Sequence, residues 1–143
     1  MFERFKSAKR LRNADKAAAQ IVSLLASSLY FARNASGTLD SEMQNDYFVL
    51  AYVYGAIGAS VEALGMTNQE EIGYVVPQVF ERIFPDNGRR LAEVCNLQAA
   101  QKEKAFLKNV QLGLTEMAEV LKSNGQSVPK ALLDHVTANY HAD

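Results

Sequence analysis

Apolar positions recur along this chain at three- and four-residue spacing, the period of amphipathic helices. Ala18, Ile21 with Val22, Leu25, Leu29 and Ala32 repeat this way and predict a helix over 14–33, with Asn13 able to cap it and Asn34-Ala35-Ser36-Gly37 ending it. Residues 2–12 form either a separate short helix or an extension of that one.

The next segment is different in kind. Tyr47–Met66 carries one charge, Glu62, in twenty residues. It belongs to a helix expected over about 41–64, which is apolar on nearly every side and therefore the buried centre of the fold. Ser41-x-x-Gln44 has the form of a capping box at its start, and Gly65 suits its C-terminal cap. Leu50, Val53, Ile57, Val61 and Leu64 mark one face. Ala51, Gly55 and Ala59 mark a second face, where a neighbouring helix can approach closely. In water that neighbour is either part of the same chain or a second copy, so the row is a candidate association surface.

Thr67-x-x-Glu70 is a further capping box, but Gly73 and Pro77 follow. Proline has no N–H and clashes with the preceding turn. The pattern therefore predicts a short turn over 68–75 and a helix over 76–84 bearing Val79, Phe80, Ile83 and Phe84. Pro85-Asp86-Asn87-Gly88 has turn chemistry. Residues 89–123 read as helix, with a polar stretch from Gln98 to Lys104 that leaves open one helix or two bent near 100. Ser127 and Pro129 open a last helix to about 141, carrying Leu132, Leu133, Val136 and Tyr140. The expectation is a single all-α domain over 1–143, five to six helices in a bundle-like or orthogonal array around the helix at 41–64.

Composition adds three points. With 48% hydrophobic and 22% charged residues in 143, the chain can bury a core without staples. The uncharged run from Tyr47 to Val61 is fifteen residues, short of the roughly 20 a bilayer needs. No secretory signal opens the sequence and its single cysteine excludes an intrachain disulfide, so a cytoplasmic protein with no membrane contact is expected. Cys95, flanked by Leu91 and Val94, reads as a small core hydrophobe.

The net charge of −1 is unevenly spread. Residues 1–16 hold six cations against two acids, whereas the remainder holds nine against fourteen. Arg4, Lys6, Lys9, Arg10 and Arg12 form a basic arm, a contact for the chain's own body, a second copy or an anionic partner. A pI near 6.1 and the lack of an aromatic-interleaved groove argue against nucleic acid.

Candidate chemistry is sparse. His135 and His141 are six apart, so on a helix their rings diverge and they form no i,i+4 metal pair. They read as a helix end complementing the dipole. Glu116 and Glu119 read as solvated. Asp40, Glu42 and Asp46 crowd one helix start without the spacing of a calcium loop. The segment Gly37-Thr38-Leu39-Asp40-Ser41-Glu42 resembles the loop of tellurite-resistance TerB-like helical domains, whose acidic residues bind metal. The likeness covers about six residues, and Ser36 stands where that loop carries Asp, so no role is carried over. No metal or cofactor is implied, and no catalytic residue stands out. One ligand-pocket candidate remains: Tyr47, Tyr54 and Glu62, a carboxylate among hydroxyls on one helix, with Glu62 otherwise reaching water. The function expected is association, as a homodimer or as an adaptor for another protein. A ligand- or metal-sensing domain is the alternative, and a nucleic-acid contact through the basic arm a weaker one.

Overall fold

A computed structural model describes residues 2–29, 41–124 and 126–140. Among these residues six α-helices pack around one core: α1 (Phe2–Leu29), α2 (Tyr47–Ala63), α3 (Gln69–Ile83), α4 (Gly88–Ala100), α5 (Lys104–Lys122) and α6 (Lys130–Asn139). Among the described residues no helix is long and apolar enough to cross a membrane.

α2 is the central post. Eleven of its seventeen residues are buried, on faces turned toward α1, α3, α4 and α5. Its start is later than the sequence pattern predicts. Ser41–Asn45 is a 3₁₀ turn, and the cap is Asp46, whose carboxylate accepts from the backbone N–H of Phe48 and Val49. Gly65, at φ +70°, closes the other end as expected.

α5 is the closest neighbour of α2, and the two run parallel. The ring of Tyr54 lies against Phe106, with centroids 6.0 Å apart, while at the far ends Glu62 and Lys122 line one hollow. Parallel helices need a long return connection, and α3 with α4 supplies it. The α2–α5 contact is backbone to backbone. A Cβ built on Gly55 would lie 1.9 Å from the Val110 carbonyl oxygen, and one on Gly113 would lie 2.2 Å from that of Tyr52. Only hydrogen fits at either position.

Two open alternatives are settled and two local expectations change. Residues 2–12 are the first turns of α1 and not a separate helix. Pro77 sits inside a continuous α3, capped by Asn68 in place of Thr67. The carbonyl that loses its partner to Pro77 belongs to Gly73, which is exposed and so can bond water. Burial of Val75, Val79, Phe80 and Ile83 holds the rest of the helix in place. Residues 89–123 are two helices, α4 and α5. Lys102, at φ +54°, makes the break, and the Glu103 carboxylate caps α5 by accepting from the Ala105 N–H. The last helix starts at Lys130, three residues later than expected, with Pro129 as its N-cap. The ends predicted near 33 and 141 lie outside the described residues.

The Gly113→Ala variant is expected to lose about 3 kcal/mol of stability, because α2 and α5 must separate to admit the methyl group. Urea denaturation measures this. A loss below about 1 kcal/mol would contradict the backbone contact.

Candidate functional site

Two carboxylates organise the polar interior. Asp46, at the start of α2, receives four donors. Its Oδ1 accepts from Phe48 N at 3.1 Å and Val49 N at 3.3 Å, and its Oδ2 lies 2.7 Å from both His135 Nε2 and the Tyr140 hydroxyl. The His135 ring stacks on Phe48, with centroids 4.2 Å apart and planes inclined 21°. Glu116, on α5, accepts through Oε1 from the Tyr52 hydroxyl at 2.5 Å and from the Ala131 N–H at 2.8 Å, which also caps the first turn of α6. α6 is thus tied at its start to α5 and at its end to α2.

These bonds set the titration behaviour. Burial pushes the Asp46 carboxyl up, but the bonds from His135 and Tyr140, the histidine's charge and the Val49 N–H outweigh it, and the net direction is down. The Tyr52 hydroxyl is raised, first by burial and then by the Glu116 carboxylate beside it. Burial pushes the Cys95 thiol up to about 12, so it is a packed hydrophobe with no thiolate character at neutral pH.

The arrangement changes several readings. His135 is not a solvated helix end, and Glu116 is not a surface acid. Asp46 is engaged in the fold, Glu42 is exposed, and Asp40 lies outside the described residues together with the rest of the segment 37–40. Among the described residues no group of three or more His, Cys, Asp or Glu could hold a metal.

The ligand-pocket candidates do not converge. Tyr47 is 56% exposed, the Tyr54 hydroxyl donates to Asn96 Oδ1 at 2.9 Å, and Glu62 is exposed. Tyr47 and Glu62 stand about 22 Å apart along α2, at 1.5 Å per residue. The Ala51, Gly55 and Ala59 row is buried, and at Gly55 the backbone of α5 in the same chain fills it, while Ala59 reaches the edge of an open hollow between the two helices. In the basic arm Arg4, Lys6, Lys9 and Arg12 are exposed, while Arg10 pairs with Glu70 on α3. No described side chain between residues 4 and 13 is buried.

The surface beside that filled row is the part the sequence pattern did not single out. On the outer side of the parallel pair, Ala59, Glu62 and Ala63 of α2 and Leu114, Ala118, Leu121 and Lys122 of α5 line an open hollow of about 510 Å³. Gly58 lies on the same side of α2 and is exposed. A Cβ there would meet only Leu114 Cδ1, at 3.9 Å. Leu107, one heptad before Leu114, is 37% exposed. The signal was present in the chain as leucines at 107, 114 and 121, seven residues apart on α5.

Comparison with known proteins finds no matching family model, no similar curated protein and no similar solved structure.

Lowering the pH is expected to weaken the fold through Asp46. Its folded pKa is below the unfolded value of about 3.9, so its contribution is fully present above that value and is lost as pH falls through the folded pKa. Urea midpoints taken between about pH 5 and 3 should fall, and the Asp46→Asn variant should show a shallower fall. An unchanged slope would remove Asp46 from this role.

Proposed function

We propose that this protein works by protein association, as a homodimer or as an adaptor, and that the outer face of the α2–α5 pair is the contact. The observation that carries this reading is Gly58. Glycine in the middle of a helix costs about 1 kcal/mol relative to alanine. At Gly55 and Gly113 the α2–α5 contact requires that cost, but inside the chain nothing requires it at Gly58. A bare stretch of helix backbone beside partly exposed leucines suits the close approach of a further helix. Two cavities on α1 have more polar linings. The one between α1 and the 64–68 segment is bordered by Asn13, Lys16, Gln20 and Glu71, and the one between α1 and α3 by Arg12, Asp15, Glu81 and Arg82.

A photoreactive amino acid at position 58 of the full chain, activated in cells that express it, tests the reading. A protein adduct is expected at 58 and none at the exposed Glu93 of α4. Absence of an adduct at 58, or equal labelling at both positions, would end this reading.

A further inference from the structure

We infer that the occupant of this face is a second copy of the chain, related to the first by a two-fold axis running along the α2–α5 groove. The inference rests on the association reading above and adds the partner and its register.

The rim charges carry it. Glu62 on α2 and Lys122 on α5 border the same hollow, each at the C-terminal end of its helix. Among the described residues neither side chain has an ion-pair or hydrogen-bond partner. Rotation by 180° about an axis along the groove lays α2 of one copy over α5 of the other without changing the level of any residue. Glu62 of each copy then faces Lys122 of the other, and both pairs form at once. A different protein must carry an acid and a base in that same register, whereas a second copy does so by symmetry.

The apolar positions fit the same register. Leu107, Leu114 and Leu121 are seven residues apart, the repeat with which parallel helices interlock. Because levels are preserved, Leu114 of one copy comes over Gly58 of the other, where the α2 backbone is bare. Leu121 comes to the level of the Ala59 and Ala63 end of the hollow. An axis perpendicular to the helices would instead set α2 against α2 and α5 against α5 in opposite directions, so that Glu62 of α2 would face no Lys122.

Sedimentation equilibrium and native mass spectrometry of the untagged full chain, across a concentration series, test this. The expected result is a two-copy mass. Gly58→Leu should weaken self-association by at least about tenfold, a steric block of the groove, while raising the melting temperature at low concentration, since leucine favours helix and meets open space there. Glu62→Lys should also weaken it, and Glu62→Lys combined with Lys122→Glu should restore it. The charge variants lie at exposed positions and keep the test decisive if the leucine variant folds poorly. A single-copy mass at every concentration overturns the inference, as does a dimer indifferent to Gly58→Leu or a charge swap without recovery. An adduct at position 58 that contains a different protein, with the purified chain monomeric, leaves association standing and removes the second copy.

Discussion

The backbones of α2 and α5 touch with no side chain between them, and the remaining elements are placed by that contact. Gly55 meets the Val110 carbonyl and Gly113 meets the Tyr52 carbonyl, so the contact is reciprocal and tolerates no methyl group on either side. Two helices this close leave little room for side chains on the shared face. The bulk of the core therefore gathers on the other faces of α2, around Leu50, Val53, Ile57 and the ring of Phe80. Because the pair is parallel, the chain must travel back between them, and α3 and α4 make that return while covering those faces. α1 then closes over α3, using Ala14, Ala17 and Ala18 where it must lie close, and Ile21 and Leu25 farther along.

Much of this was legible in the pattern, and the failures have physical causes. The apolar run of α2 announced a buried helix, and the four-residue recurrence of Ala51, Gly55 and Ala59 announced close approach. Spacing alone does not say which helix approaches, since α5 and a second copy satisfy it equally. Caps were displaced for a related reason. Ser41 and Thr67 have cap chemistry, but Asp46 and Asn68 take the positions. For Asp46, partners 89 and 94 residues away fix the carboxylate there. At Pro77 a local rule predicted a break, but the burial of one face of α3 outweighs one lost hydrogen bond whose orphaned carbonyl is in water.

The polar interior was the least legible part. Glu116 sits between Thr115 and Met117 on α5, and its spacing from Glu119 suggested a wet face. In the fold it is half-buried and takes a proton donor from Tyr52, 64 positions away, and another from the start of α6. Such long-range pairs leave no periodic trace. What could have raised them is inventory: a buried tyrosine hydroxyl needs a partner, and so does a carboxylate in an apolar stretch. Among the described residues no buried side-chain oxygen or nitrogen lacks one.

That complete satisfaction bears on where function resides. Asp46, His135, Tyr52 and Glu116 are the side chains with the most chemistry to offer, and each is bonded within the fold, while Cys95 is sealed and protonated. Groups held this way act as fasteners between α2, α5 and α6. The opposite condition holds on the outer face of the parallel pair. There the fold leaves an uncovered helix glycine, leucines partly in water, and two unlike charges beside one hollow whose side chains have no partner among the described residues. Each of these is a small cost to the isolated chain: a lost helix-propensity term, unburied aliphatic area and an unmade ion pair. A helix laid into the groove removes the apolar exposure, and when it carries the matching charges it also makes the ion pairs. Their coincidence on one surface sets that face apart from the saturated interior behind it.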